Sequence, residues 1–250
     1  MSKLNEIEVY DKSQVSVNTG EIEDWDEAIF PYVIRKRIID LIKVKLHAVE
    51  PKIILDYGCG AGWLSISLSK WGFEVVGIDL SAHLIKNAKL ACPKAEFVIC
   101  DCEKLPFRNA VFNLLIGISI LHHLNLKRSL IEIKRVLLNE ADFIFEEPNL
   151  LNPFSGIGRK LFPMSTHSKG EKPFIPKHLK TTLNKLDFKF IGINYLFFIA
   201  FPVSRILKVT KIKLPFFMVK IFSLFERIME KMPYIKQLNS SLVIFGKIHK

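Results

Sequence analysis

Glycines and acids that follow two apolar runs are spaced to hold a ligand. The run Ile53-Ile-Leu55 leads into a segment with glycine at positions 58, 60 and 62, and Asp79 follows seventeen residues after the last glycine. Closely spaced glycines let a backbone approach a ligand where a Cβ atom would collide, and the next helix points its N-terminal amides at the same place. The second run, Glu74–Ile78, places Asp79 at its carboxyl end, where an acid can accept both hydroxyls of a ribose. These residues predict a nucleotide-like cofactor.

The spacing of the glycines argues against a phosphate. A dinucleotide fingerprint is Gly-x-Gly-x-x-Gly, whereas the order here is Asp56-x-Gly58-x-Gly60-x-Gly62, without a following Lys-Ser or Lys-Thr pair. An acid just before the first glycine disfavours a phosphate and suits a cationic or amine-bearing ligand. S-adenosylmethionine (SAM) has a ribose, an α-amino group and a sulfonium but no phosphate, so the loop favours SAM.

At these residues the chain resembles the class I SAM-dependent methyltransferases, especially the broad group that includes the quinone-biosynthesis methyltransferases. Further segments resemble the family in the expected order: Phe97–Phe107 the third strand and its turn, Phe112–Ile118 the fourth strand, and Ser119–Leu124 the segment after it. Asn113 and the turn Asn139–Asp142 depart from the usual Asp and Lys-Pro-Gly-Gly. The resemblance implies an α/β, Rossmann-like seven-stranded sheet, mostly parallel with an antiparallel last strand, and an apolar basic insertion before that strand.

The resemblance also implies which residues contact the cofactor. Asp101 would accept a hydrogen bond from the adenine amino group, the backbone amide of Cys102 would meet the ring, and Ser119 would lie near the methionine end. The complete predicted set is Asp56, Gly58, Cys59, Gly60, Gly62, Asp79, Leu80, Asp101, Cys102 and Ser119. Taken singly, Asp79 could cap a helix and Asp101 could be a surface turn residue. Their order along the chain favours one cofactor site.

Methyl transfer needs few catalytic side chains, because the enzyme mainly aligns the nucleophile, the methyl carbon and the sulfur. A general base helps when the nucleophile is a hydroxyl, and His122, His123 and Glu146 are the candidates. Glu147 is a further candidate base or amine anchor. The alternative for either histidine is structural, as a residue at a helix start that binds the backbone.

Composition agrees with a cytoplasmic enzyme that holds a single domain and no metal. Residues 1–20 are polar and contain no apolar run, so a signal peptide or anchor is not predicted there. The four cysteines, at 59, 92, 100 and 102, lack the paired spacing of a zinc site and indicate free thiols in a reducing compartment. Residues 1–50 are predicted to form a helical lid, and residues 51–199 with 241–250 the SAM-binding domain.

Positive charge is concentrated in the last two-fifths of the chain. Residues 1–150 contain 18 Lys and Arg against 21 Asp and Glu, whereas residues 151–250 contain 18 against 4. The second part is also rich in aromatic and aliphatic residues. Basic and apolar residues together predict a surface that binds an anionic membrane. The protein would then be a peripheral protein on the inner face of the membrane.

An insertion, 200–240, separates the predicted strands Phe188–Phe198 and Ser241–Ile248. Its apolar runs are too short and too interrupted by charges to span a bilayer, which favours helices that lie in the interface. A helical cap packed on the sheet, or a dimer interface, is the alternative. Nucleic acid is the weaker interpretation, because the phenylalanines cluster with Leu, Ile and Val rather than alternating with basic residues.

The loop 150–176 and the insertion are predicted to wall the acceptor site, since acceptors enter above the carboxyl ends of the fourth and fifth strands. Both walls are basic and apolar. The sequence therefore predicts methyl transfer to oxygen or carbon of an apolar or lipid-linked acceptor at a membrane surface. The alternatives are a soluble small-molecule or sugar methyltransferase, and a SAM-binding partner subunit without activity. The sequence does not determine the oligomeric state.

Overall fold

The computed structural model of the protein describes residues 29–46, 53–154, 173–210, 212 and 214–250. Strands β1 to β7 cover Ile53–Tyr57, Glu74–Asp79, Glu96–Ile99, Phe112–Ile118, Leu137–Pro148, Phe188–Leu196 and Ser241–Ile248. Helices in the described residues, numbered α1 to α7, cover Ile29–Leu46, Trp63–Lys70, Ala82–Ala91, Leu126–Val136, Pro176–Asn184, Ala200–Thr210 and Phe216–Lys231. Short 3₁₀ turns lie at Leu121–His123 and Ile235–Leu238.

The strands form one seven-stranded sheet in the order β3-β2-β1-β4-β5-β7-β6. Strands β1 to β5 pair in parallel, and β7 runs antiparallel to both β5 and β6. The predicted Rossmann-like sheet with an antiparallel last strand is therefore confirmed. Strand order reverses between β1 and β4, and ligands of such sheets bind at the carboxyl ends of the strands beside that point.

The sheet is buried on both faces, as its nearly continuous apolar strands require. Neighbouring residues of β4 point to opposite sides, so Leu114 and Leu115 enter different cores. One core contains Leu130 of α4 and Leu179 of α5. The other core contains residues of α1 and α2, among them Ile38 and Leu64.

Side-chain caps fix the start of two helices. The Ser81 hydroxyl accepts a hydrogen bond from the Leu84 amide at 3.1 Å and caps α3, and Asn125 Oδ1 accepts from the Arg128 amide at 3.2 Å and caps α4. Asn113, one departure from the family pattern, accepts from the Ile53 amide at 3.2 Å. Asn113 therefore ties the beginning of β1 to β4.

Strand β6 ends two residues earlier than the sequence predicts. It stops at Leu196 because Phe197 adopts φ +64°, which turns the chain away from the sheet. The Glu226 carboxylate then accepts from the backbone amides of Phe198 and Ile199. This contact between residues far apart in sequence decides where α6 begins.

Strand β5 is longer than predicted. Residues Ile131–Leu138 resemble the family's helix before the fifth strand, which the resemblance places at Asp142–Glu147. In the structure α4 ends at Val136 and β5 already starts at Leu137. Glu140, in the altered turn Asn139–Asp142, has φ +59°, in the left-handed region that glycine adopts most readily. The altered turn is thus accommodated inside an irregular strand.

Helices α6 and α7 occupy the predicted insertion between β6 and β7. None of the helices in the described residues is long and apolar enough to cross a membrane. Helix α1 packs on the sheet through Ile34, Ile38, Ile42 and Leu46. The other parts of the predicted lid, residues 1–28 and 47–50, lie outside the described residues.

Candidate cofactor and acceptor site

The glycine loop follows β1, as the sequence predicts. Gly58, Gly60 and Gly62 all have positive φ, of +75°, +53° and +83°. A Cβ at position 58 would lie 2.6 Å from the Ile120 side chain, whereas a Cβ at position 60 would meet nothing within 4 Å. The loop is therefore packed on one side and open at Gly60, where a ligand can approach the backbone.

Asp79 joins this loop to the end of β2. Its two carboxylate oxygens accept from the backbone amides of Gly60 and Ser81, each at 2.9 Å. The Cys59 amide donates to the Ile78 carbonyl at 2.8 Å, which holds the same two segments together. Asp79 and the following Leu80 are partly exposed. A carboxylate held in this way beside an open backbone fits the ribose of the predicted cofactor.

Asp101 lies at the neighbouring strand end, next to Asp79. The Cys100 amide donates to the Asp79 carbonyl at 3.0 Å, and Asp101 Oδ1 accepts from the Glu103 amide at 2.8 Å. The Tyr57 hydroxyl donates to the Cys102 carbonyl at 2.6 Å, which ties this turn to β1. The structure thus brings Asp79, Asp101 and the Cys102 backbone to one edge of the sheet.

The thiols in this region are not suited to nucleophilic chemistry. Burial raises the pKa of the Cys59 thiol, and it raises the pKa of Cys100 to about 12. Both thiols are therefore protonated near neutral pH. Cys59 and Cys102 can serve the site through their backbone and their packing.

Asp56 is enclosed directly below the loop. Its side chain is 2% exposed, and its Oδ2 accepts from the Ser65 hydroxyl of α2 at 2.5 Å. Burial raises the pKa of Asp56 to about 7, against the lowering effect of the Ser65 hydrogen bonds, and Asp79 raises it further. A cation bound nearby would favour the ionised form, which fits the sulfonium and ammonium of the predicted cofactor.

Asp56 makes stability depend on pH. Because its folded pKa exceeds the ordinary value of 3.8, the folded state retains a proton that the unfolded state releases. The contribution of Asp56 to stability is full below about pH 4 and is lost as pH rises toward 7, by at most about 4 kcal/mol. We expect Asp56→Asn, followed by chemical denaturation, to lose less stability over this range than the wild type. Identical pH profiles for both proteins would contradict this, and Asp40→Asn on the surface of α1 is the control.

Ser119 and Glu146 form a polar pair at the ends of β4 and β5. Ser119 has φ +53°, an uncommon conformation for serine, and its hydroxyl donates to Glu146 Oε2 at 2.7 Å. Ser241 donates to the other oxygen of Glu146. Burial raises the pKa of Glu146, although both serines act in the opposite direction. A raised pKa brings a carboxylate closer to the range useful for a general base.

Glu147 holds the segment after β4 in place. It is fully buried and accepts from the backbone amides of Ile120, Leu121 and His122, at 3.0, 2.7 and 3.3 Å. His122 Nδ1 lies 2.8 Å from Glu147 Oε2, and the rings of His122 and His123 are 4.0 Å apart. These contacts give His122 a structural partner. A catalytic role for either histidine stays a prediction.

Sequence reasoning missed several residues that shape this edge. Arg135 donates to the carbonyls of Leu105 and Phe107 at 2.9 and 2.7 Å, and Glu132 accepts from the Leu105 amide at 2.8 Å. This pair supports the turn that follows Asp101. The residues lie about thirty positions from their partners, so no local pattern predicts the contact.

A cavity of about 200 Å³ lies away from the glycine loop, between α1 and the pair α6 and α7. Its lining includes Ile34, Arg37, Phe197, Phe222 and Glu230. Arg37 donates to Glu230 Oε2 at 2.6 Å across it. The cavity therefore lies between α1 and α7, and it is not part of the predicted cofactor site.

Comparison with known proteins agrees with this geometry. Residues 55–145 match the family model of the methyltransferase domain. The uncharacterised protein MJ1252 of Methanocaldococcus jannaschii is 35% identical over 115 residues, which are 46% of this chain and 44% of that protein. The sterol 4-C-methyltransferase strm-1 of Caenorhabditis elegans is 31% identical over 110 residues, 41% of this chain and 33% of that protein. The matches thus span less than half the length of either relative.

The whole fold also has solved counterparts. A geranyl diphosphate methyltransferase, in complex with GPP and sinefungin, is similar with a TM-score of 0.65 over 98% of both chains, at 11% sequence identity. At that identity the likeness shows the fold alone. The match of residues 55–145 to the methyltransferase-domain model, which takes in the glycine loop and most of β1 to β5, identifies that part of the chain as a methyltransferase domain, for which S-adenosylmethionine is the cofactor.

Proposed function

We propose that the protein transfers a methyl group from SAM to oxygen or carbon of an apolar or lipid-linked acceptor at a membrane surface. Exposed apolar side chains beside the carboxyl edge of the sheet carry this proposal. They belong to the segment after β5, to α6 and to the residues between α7 and β7: Leu150, Leu151, Phe154, Phe201, Tyr234 and Leu238. Such a surface is unusual unless it meets an apolar partner.

The two apolar segments share a border. Asn152 Nδ2 donates to the carbonyls of Phe198 and Leu238, at 2.8 and 2.7 Å. Asn149 Nδ2 donates to the Asn239 carbonyl at 2.7 Å. Both asparagines are buried, so the segment after β5 is fixed against the residues that lead into β7. This arrangement supports the prediction that both segments wall the acceptor site.

The residues near this edge can bind, orient and accept a proton. SAM, when bound, supplies a methyl carbon that carries a sulfonium leaving group. Asp79 and Asp101 would hold its ribose and adenine, and the Glu147 contacts fix the loop that packs on Gly58. For a hydroxyl acceptor, the electron pair of its oxygen would form the new bond to the methyl carbon, and the carbon–sulfur pair would leave on sulfur as a neutral thioether. The hydroxyl proton would then pass to Glu146.

The apolar acceptor also agrees with one relative. The sterol 4-C-methyltransferase acts, by its name, on carbon of a sterol. The match to it spans 41% of this chain and only a third of that protein. The relative therefore supports the reaction class, and the acceptor of this chain rests on its own exposed surface.

Transfer of labelled methyl groups tests the proposed acceptor class. We expect protein supplied with methyl-labelled SAM to label a detergent-dispersed lipid extract, and to leave a water-soluble extract of the same cells unlabelled. Asp79→Ala is the control for label that does not depend on the site. Label confined to the water-soluble extract would replace the proposal by a small-molecule or sugar acceptor. SAM binding without any transfer would favour a non-catalytic partner subunit.

A further inference from the structure

The outward side of α7 presents a continuous apolar stripe. Its members recur at intervals of three and four residues and are exposed: Phe217, Met218, Ile221, Leu224, Phe225, Ile228 and Met232. Phe217, Ile221 and Leu224 are 62, 63 and 60% exposed. Residues at this spacing lie on one face of a helix, and a globular protein normally turns such a face toward its core. Here the stripe faces away from the sheet.

Basic residues border the stripe along one side. Lys220, Arg227 and Lys231 are exposed, and the rotation of about 100° per residue in a helix places them next to Leu224. The acids of α7 point the other way. Glu226 is buried against the amides that start α6, and Glu230 is bound by Arg37. The outward half of α7 therefore combines apolar and positive groups without an acid.

We infer that this face of α7 docks on an anionic phospholipid surface, with the helix axis parallel to the membrane plane. The stripe would enter the acyl boundary while Arg227 and Lys231 meet lipid phosphates. Helix α7 has 16 residues, which give a length of about 24 Å along the surface. The inference rests on the proposed function, because it names the partner that brings the protein to its acceptor.

A second copy of the chain fits this face less well. In a symmetric dimer the same patch contributes from both subunits, so the basic edges would lie in one interface. Residues 200–240 contain eight Lys and Arg but only two acids, Glu226 and Glu230. Both acids are engaged on the inner side of α7. No acid from this region would neutralise the basic residues of the two facing edges. An anionic bilayer, in contrast, presents negative charge across its whole surface.

Docking by α7 would also orient the acceptor side. The carboxyl end of α7 leads to Tyr234, which is 87% exposed, and on to Leu238. The Leu238 carbonyl accepts from Asn152, beside the exposed Leu150 and Leu151. The apolar stripe is thus continued toward the carboxyl edge of the sheet. An acceptor with a hydrocarbon tail could enter the site from the bilayer along this path.

Vesicle co-sedimentation tests the stripe. We expect the wild type to bind vesicles of phosphatidylcholine mixed with phosphatidylglycerol far better than vesicles of phosphatidylcholine alone. The triple variant Phe217→Ser, Ile221→Ser, Leu224→Ser should bind the mixed vesicles about 100-fold more weakly. The matched control replaces exposed apolar residues on other surfaces, Leu90, Ile131 and Ile191, with serine and should bind like the wild type. SAM affinity shows that each variant is folded.

A charge variant tests the basic edge. Arg227→Gln with Lys231→Gln should lower binding to the mixed vesicles about 30-fold at low salt, since each basic residue near an anionic surface contributes about fivefold. Lys86→Gln with Lys89→Gln, on α3, is the control for general charge. Added salt should reduce binding of the wild type and have less effect on the charge variant.

Four outcomes would overturn the inference. Equal binding to both kinds of vesicle would rule out a preference for anionic lipid, and no binding to either would rule out docking on a membrane. Dimerisation that the triple serine variant abolishes would assign the stripe to a second copy, and binding to RNA in place of vesicles would assign the basic edge to nucleic acid. Transfer to a detergent-dispersed acceptor is measured in parallel. If transfer persists while vesicle binding fails, the docking surface is wrong, and the proposed methyl transfer to an apolar acceptor stands without its membrane location.

Discussion

Replacing Asp79 with alanine is expected to weaken SAM binding by about 100-fold or more. The carboxylate is predicted to hold the ribose, and hydrogen bonds to a charged group contribute about 1.5–3 kcal/mol each. It also accepts from the amides of Gly60 and Ser81 at 2.9 Å, so its loss loosens the loop that the cofactor approaches. Titration calorimetry with SAM and S-adenosylhomocysteine measures the effect. Glu96→Ala, at the exposed start of the neighbouring β3, is the control.

A second ligand separates these two roles of Asp79. An analogue of S-adenosylhomocysteine without ribose hydroxyls should bind the wild type weakly, and Asp79→Ala should lose most of the preference for the complete ligand. If the variant discriminates as well as the wild type does, Asp79 acts by holding the loop and does not contact the ribose. Unchanged affinity for SAM in a folded variant would remove Asp79 from the site.

Much of this site can be predicted from the local sequence, because its residues depend on their own backbone conformation and on their position at a strand end. Gly58, Gly60 and Gly62 need positive φ, and Asp79 needs only to end a strand beside them. Parallel pairing then brings the strand ends to one edge. A short apolar run, a turn and an acid therefore predict both the sheet and the place of the cofactor.

The contacts that finish the site depend on residues distant in sequence. Glu226 ends the turn after β6 and decides where α6 begins, although it lies 27 residues from Ile199. Glu147 is separated by 27 residues from the Ile120 amide that it binds. Periodicity identifies neither role, because an acid in an apolar strand or helix looks equally like a catalytic group. Its role is decided by which donors surround it.

The pKa of Asp56 also depends on its surroundings in the fold, which the sequence does not show. The sequence identifies it as an acid suited to a cationic ligand, and the structure adds that it is buried with a raised pKa. A buried carboxylate that opposes folding near neutral pH is costly to retain. A positively charged cofactor bound beside it would offset that cost, which gives the position a functional reason that packing alone does not.

The largest loss of stability is expected for Glu147→Ala. The carboxylate is fully buried and accepts three backbone amides of the segment after β4, while His122 Nδ1 lies 2.8 Å away. Alanine would leave these donors without an acceptor in a dry interior. We expect the free energy of unfolding to fall by about 3–5 kcal/mol, as when one partner of a buried charged network is removed.

Chemical denaturation compares Glu147→Ala with Glu147→Gln and with Glu74→Ala, a surface control at the start of β2. The glutamine variant should lie between alanine and the wild type, because its carbonyl oxygen can still accept from Leu121 or Ile120, whereas its amide faces further donors. Ile120 also packs where a Cβ at Gly58 would lie, so loosening this segment should weaken SAM binding as well. A loss below about 1 kcal/mol for alanine would mean that water replaces the carboxylate and that Glu147 does not organise the site.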